Sequence, residues 1–285
     1  WMAGKDANAT FSVTCPLCSV NIPDANFKSA LVGNALINTN GNGEIECTEA
    51  SAFNGTINVP NSGIADLTGI EAFTSIVGLI CNGNSLSSLN VSSNTALTTL
   101  VCSQNSLTSL DVSANTSLQT LICLLNNLTS LNITGCTNLS NLNCGGNQLT
   151  SLDLSTNTQL GNINASLNQL TSLNVSGLTG LTFFECHLNS ITSLDVSANS
   201  GLTHFNCAAN ALTSLNMQNG NNASLTYFNA VQNFSLACIQ VDNPTYMNTN
   251  YSAAKDAGAT YSTICPISNP ASALNFDGAD DKVVV

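Results

Sequence analysis

Between Ile76 and Leu225 the chain repeats itself. Ile76, Leu97, Leu118, Leu139, Leu160, Leu181 and Leu202 stand 21 residues apart. Leu225 follows after 23, with the two extra residues in Asn219-Gly220-Asn221-Asn222. With each of these as position one, position four reads Leu79, Leu100, Leu121, Leu142, Ile163, Phe184, Phe205 and Phe228. Position six reads Cys81, Cys102, Cys123, Cys144, Ala165, Cys186, Cys207 and Ala230. Position nine is Asn in every unit: Asn84, Asn105, Asn126, Asn147, Asn168, Asn189, Asn210 and Asn233. A unit this short cannot bury its own apolar side, so the period dictates coils stacked in a solenoid.

Positions four and six alternate with polar neighbours, which predicts a short strand with those two residues facing inward. At position nine the chain must turn. An inward amide there can donate to and accept from backbone groups that the turn leaves unpaired, in its own coil and the next. The second half of the unit also alternates, as in Leu107-Thr108-Ser109-Leu110-Asp111-Val112-Ser113, and predicts a second short strand on the opposite, convex side.

This pattern, Leu-x-x-Leu-x-Cys-x-x-Asn-x-Leu, resembles the leucine-rich repeat of bacterial secreted and cell-surface proteins over roughly residues 55–243. An earlier coil, Ile57-x-Val59 followed by Gly63-Ile64-x-Asp66-Leu67-Thr68-Gly69-Ile70, resembles the internalin-like form of the unit. The resemblance implies a leucine-rich repeat solenoid, mostly β with a short N-terminal helical cap. About nine coils at about 4.8 Å each make a rod roughly 40 Å long. It also implies that the first strands line a concave face whose outward side chains carry recognition.

An open stack needs caps. Residues 21–54 differ in composition from the coils and are expected to form the N-terminal cap, with a helix starting at Pro23-Asp24 and Phe27, Ala30 and Leu31 on one face. Residues 55–243 are the repeat region and 244–266 the C-terminal cap. Residues 3–16, AGKDANATFSVTCP, match 253–266, AAKDAGATYSTICP, at nine of fourteen positions. Residues 1–20 therefore read as the tail of a preceding module, and Cys15 as the counterpart of Cys265. Residues 267–285 read as a linker followed by a strand that resembles the opening of a laminin-G or concanavalin-like domain. The chain is thus expected to be a piece of a tandem multidomain protein, with those domains as its neighbours.

The N-terminal cap carries Asn38-Thr39-Asn40-Gly41-Asn42-Gly43-Glu44-Ile45-Glu46-Cys47-Thr48-Glu49. This spacing resembles an EF-hand loop: oxygen side chains at positions one, three and five, Gly at six and Glu at twelve. Two readings stand. Asn38, Asn40, Asn42 and Glu49 supply side-chain oxygens and Glu44 its carbonyl to a weakly held Ca2+, since Asn replaces the usual Asp. Alternatively the segment is a Gly-stabilised turn whose Asn residues cap themselves.

Twelve cysteines fall into two groups. Six sit at the inward strand position, where stacking separates equivalent Cβ atoms by about 4.8 Å, beyond disulfide reach. They are expected to be core thiols. Cys15, Cys18, Cys47, Cys136, Cys238 and Cys265 lie off that ladder and read as disulfide candidates of an exported protein. A bond between Cys238 and Cys265 would close the open end of the stack. Cys15-Pro16-Leu17-Cys18 has no second pair at zinc spacing.

Four basic residues against sixteen acidic ones give a net charge of −12. Such a chain cannot neutralise phosphates or an anionic membrane surface, which excludes nucleic acid and polybasic membrane binding. No apolar run approaches the roughly 20 residues of a membrane span, so no membrane insertion is expected. Trp1-Met2-Ala3-Gly4-Lys5 shows no signal-peptide pattern, and the expected extracellular or cell-surface location rests on the cysteines and the resemblance. No Gly-x-Ser-x-Gly, Walker or His-Glu-x-x-His motif occurs, and the expectation is a protein that is not an enzyme. The alternation Asn90, Asp111, Asn132, Asp153, Asn174, Asp195 and Asn216 spaces like charges along the convex side; it reads as a stabilised solvent face rather than a cation ladder. The file Thr108, Thr129, Thr150, Thr171, Thr192 and Thr213 lies at a bend, which disfavours ice binding.

Outward positions three, five and seven of the first strand are the candidate binding surface. In the coils starting at Leu181, Leu202 and Leu225 they place Phe183, Glu185, His187, His204, Asn206 and Tyr227 together, including both histidines of the chain. Phe183, His204 and Tyr227 form one column. Rings flanked by amides and a carboxylate suit a sugar or an extended peptide. A metal held by His187, His204 and Glu185 is a weaker reading, because the histidines lie on a diagonal. The expected function is a non-enzymatic binding or adhesion module that recognises a protein or glycan ligand. The alternative is a structural spacer with no ligand.

Overall fold

The structure, a computed structural model, describes residues 18–266. The expectations for Cys15, for most of the 1–20 tail and for the strand after 267 lie outside the described residues. The repeat folds as expected, into a right-register parallel stack. Nine three-residue strands form one sheet: Thr56–Asn58, Gly78–Ile80, Thr99–Val101, Thr120–Ile122, Asn141–Asn143, Asn162–Asn164, Phe183–Glu185, His204–Asn206 and Tyr227–Asn229. Each pairs only with the equivalent strand of the coils before and after, so Leu100 lies beside Leu121 and Phe184 beside Phe205. The molecule is a parallel β-solenoid.

Positions one, four and six are buried along the whole stack and form a continuous column of Leu, Ile, Phe and Cys. Towards the C-terminal end Phe184, Phe205 and Phe228 replace leucine at position four. Phe184 and Phe205 stack with centroids 5.5 Å apart, and Phe228 lies 5.8 Å from Phe205 at a tilt of 32°, so the rings fill one coil after another.

On the other side the predicted second strand forms only in some coils. Ser109–Asp111 pairs with Ser130–Asn132, and Ser193–Asp195 begins a four-stranded sheet through Ser214–Asn216, Cys238–Gln240 and Thr260–Ser262. Segments 88–90, 151–153 and 172–174 have the same alternation but no ladder. Next to segment 172–174 the bond from Thr192 N–H to Thr171 O is 3.4 Å long, against 2.9 Å for Thr129 N–H to Thr108 O beside the paired strands. A weak ladder breaks first where its bonds are longest.

Two caps close the ends. Helix α1, Ala25–Val32, starts at Asp24, whose Oδ1 accepts from the Asn26 and Phe27 N–H groups; its Oδ2 accepts from Ala65 N–H at 2.8 Å, fastening the cap to the first coil. Helix α2, Cys47–Ala52, is started by a reciprocal capping box between Glu46 and Glu49. Cys18 and Cys47 form a disulfide across this cap. At the far end helix α3, Pro244–Asn250, is capped by Asn243, and a Cys238–Cys265 disulfide ties the last strands together. The Tyr251 hydroxyl donates to Leu225 O, fixing this cap to the final coil.

Candidate functional site

The amide ladder holds the strands in place and therefore sets the site. Asn147 is representative. Its Oδ1 accepts from Leu128 N–H at 3.0 Å, while its Nδ2 donates to Cys123 O at 3.1 Å and Cys144 O at 2.9 Å. Each amide thus bridges its own coil and the preceding one, where the sequence reading placed the second partner in the following coil. The direction follows from the turn, because the carbonyl at position six faces the following coil, as Cys102 O faces Asn126. A second ladder went unread: Asn94, Asn115, Asn157 and Asn199, all fully buried, donate to carbonyls of the preceding coil. Their 21-residue spacing is visible in the sequence, but Cys136 and Leu178 interrupt it. Cys136 is consequently no disulfide partner. It takes an Asn position, and its thiol donates to Val112 O at 3.1 Å.

With the strands fixed, Phe183, Glu185, His187, His204, Asn206 and Tyr227 project from three adjacent strands of the nine-stranded sheet. Register places His204 beside Phe183 and Tyr227, and Asn206 beside Glu185. The rings stack: Phe183 and His204 lie 4.2 Å apart at 15°, and His204 and Tyr227 lie 4.5 Å apart at 12°. Glu185 stands at the centre. Its Oε1 meets His204 Nε2 at 2.7 Å and its Oε2 meets His187 Nδ1 at 2.7 Å. Asn206, only 8% exposed, lays its Nδ2 3.4 Å from Glu185 Oε2 and 3.1 Å from His187 Nδ1, and its Oδ1 accepts from Ala208 N–H.

Asn206 therefore sits under the cluster and holds it, while Phe183, His187, His204 and Tyr227 remain partly open to solvent. The diagonal relation of the histidines is what lets both reach one carboxylate. They meet different oxygens of it, and among the described residues no group of three His, Cys, Asp or Glu is arranged to hold a metal ion. The arrangement is a pre-organised surface of aromatic edges around a clamped carboxylate. It contains no nucleophile paired with a base and oriented by a third group.

The cap loop brings its predicted ligands together in one turn. Gly43, at φ +83°, supplies the left-handed conformation that the loop needs at its sixth position. Asn38, Asn40 and Asn42 each turn Oδ1 onto a loop N–H, those of Gly41, Asn42 and Glu44. Glu49 Oε1 accepts from Thr39 N–H at 2.7 Å and from the Thr39 hydroxyl at 2.9 Å. The Asn40 and Asn42 amides donate to the buried Glu46 carboxylate. The Glu44 side chain faces away, paired with Lys28 at 2.7 Å. Burial would raise the Glu49 carboxyl, but the bonds from Glu46 and Thr39 outweigh it and hold the group down at about 2.

The six ladder cysteines are fully buried and unpaired. Burial pushes the Cys81 and Cys144 thiols up to about 12 and Cys136 to about 11.

No protein-family model matches the chain, and no curated protein matches it. Solved structures do. The crystal structure of an internalin C2 from Listeria monocytogenes is 22% identical with a TM-score of 0.56, covering 69% of this chain and 89% of that one. An internalin F from the same species is 18% identical with a TM-score of 0.58, covering 88% and 80%. The functional domain of InlJ from Listeria monocytogenes, which includes a cysteine ladder, is 28% identical with a TM-score of 0.40; the match covers 78% of this chain and 66% of that chain. The fold is that of a leucine-rich repeat solenoid.

Proposed function

We propose that this leucine-rich repeat solenoid is a non-enzymatic binding module of an extracellular, multidomain protein, and that it takes a protein or glycan ligand on the outward face of the nine-stranded sheet around Phe183, Glu185, His187, His204 and Tyr227. One observation carries the reading. A chain with two histidines and 5% aromatic residues places both histidines, two aromatic rings and a carboxylate in one cluster on one face, partly open to solvent. Core packing does not ask for them there, since positions four and six already fill the interior. Two disulfides in the caps support an oxidising, extracellular setting.

A contrast within the face supports the spacer reading for the other coils. From Gly78 to Ser166 the outward positions are Gly, Ile, Asn, Thr, Val, Ser and Leu with no charged residue. Recognition is therefore assigned to the last three coils and reach to the rest. The test is binding of a glycan array and a displayed random-peptide library by the chain and by a Phe183→Ala/Tyr227→Ala variant. Loss of binding with an unchanged circular dichroism spectrum supports the patch. Binding that is unaffected by the double substitution removes it, and no binding to either collection leaves the spacer.

A further inference from the structure

We infer that the ligand of this face is a protein segment, neutral or basic, that packs an apolar side chain on Leu167 and Leu188 beside the histidine–carboxylate cluster. The inference rests on the proposed binding face and names its ligand class.

Sugars are recognised by open ring faces and by free donors and acceptors. Here four of the six ring faces are used up within the stack. His204 is covered on both sides at 4.2 and 4.5 Å, and Phe183 and Tyr227 each on one, so the stack presents mainly edges. The polar groups are used up as well. Both Glu185 oxygens are held by imidazoles, and Asn206 is buried with its amide engaged.

What the surface does offer is aliphatic. Position eight of each coil, directly after the outward strand residues, has a left-handed backbone: Gly83, Gln104, Gly146, Ala209 and Gln232 have φ between +52° and +68°. Leu125, Leu167 and Leu188 occupy this position too, each at φ +55° and 47–50% exposed. A branched apolar residue is disfavoured there by about 1–2 kcal/mol relative to glycine. Half exposure returns little of that through burial. Neither local conformation nor the core accounts for these leucines.

Their place does. Leu188 follows His187, and Leu167 is its equivalent one coil earlier, about 5 Å away. Across one coil the surface thus runs from the Phe183 ring through Glu185 and His187 to Leu188. Partly exposed leucines beside aromatic edges make an apolar patch of the kind that a protein partner covers, with the hydrogen-bonded histidine–carboxylate group at its side. A net charge of −12, with no lysine or arginine at the outward positions of this face, disfavours an acidic partner.

The test is a Leu167→Asn/Leu188→Asn variant, in which Asn suits the left-handed backbone and removes only the apolar surface. Its melting temperature is expected to stay level or rise. Peptides selected from a displayed random library on the unmodified chain are expected to be rich in apolar residues and to bind this variant at least about tenfold more weakly. Peptides that lose binding with Phe183→Ala/Tyr227→Ala but not with the leucine variant overturn the inference and leave the binding face standing. Peptides indifferent to both variants overturn both readings. Binding to neutral glycans without peptide enrichment overturns the ligand class.

Discussion

Replacing Asn147 by Ala tests whether the amide ladder holds the coils together. The side chain is 8% exposed, and it is the acceptor for Leu128 N–H. Removing it leaves that N–H buried without a partner, at about 1–3 kcal/mol. The two carbonyls fare better, because each serves a second amide: Asn126 Nδ2 still donates to Cys123 O, and Asn168 Nδ2 to Cys144 O. Each lost second bond costs about 0.5–1 kcal/mol. The sum is about 2–5 kcal/mol, large against the total stability of a domain of this kind. Asn147→Asp keeps the acceptor but turns a carboxylate towards two carbonyls, and is expected to destabilise at least as much. The control is Asn90→Ala, an exposed amide that only caps Ser92 N–H, with an expected loss under about 1 kcal/mol. Urea unfolding followed by circular dichroism measures all three. A loss at Asn147 no larger than at Asn90 would refute the account of the ladder as the staple between coils.

Three further outcomes follow from the same structure. The seven free thiols of the described residues should not react with an aromatic disulfide reagent in the native state, and should all react in denaturant; mass mapping that finds one labelled within the mixing time would show the ladder to be open. The N-terminal cap should weaken in acid. Glu49 is held at about 2 against an ordinary 4.5, so its contribution is complete above about pH 4.5 and is lost as pH falls towards 2. At a loop bordered by solvent this amounts to about 1–2 kcal/mol, and Glu49→Gln should flatten the melting-temperature profile over that window; an unchanged profile would refute the assignment. The same loop is expected to take up calcium only in about the millimolar range, because three Asn replace Asp and Glu49 must leave its loop N–H partners to reach an ion. Calorimetry with no heat and no thermal shift at such concentrations would assign the loop to the self-capped turn.

The period alone determined most of the fold. Translation by one coil makes every equivalent residue meet its own copy, so the phase of the repeat decides which side chains face inward. That is why the buried thiols, the position-nine amides and the column Phe183, His204 and Tyr227 were legible from spacing. The same reasoning could not see relations between positions that are not equivalent. That Glu185 engages histidines from two coils depends on side-chain rotation and on the offset between neighbouring strands, neither of which the period specifies. The Cys18–Cys47 bond joins two segments of a cap that has no repeat, so no symmetry pointed to it. Cys136 was misjudged because its column is broken in the sequence, and only the stacked carbonyls above it show that a thiol stands in for an amide. The left-handed backbone under Leu167 and Leu188 is set by the turn that stacking imposes on position eight, against the local preference of leucine; tertiary packing decided it and no local signal announced it.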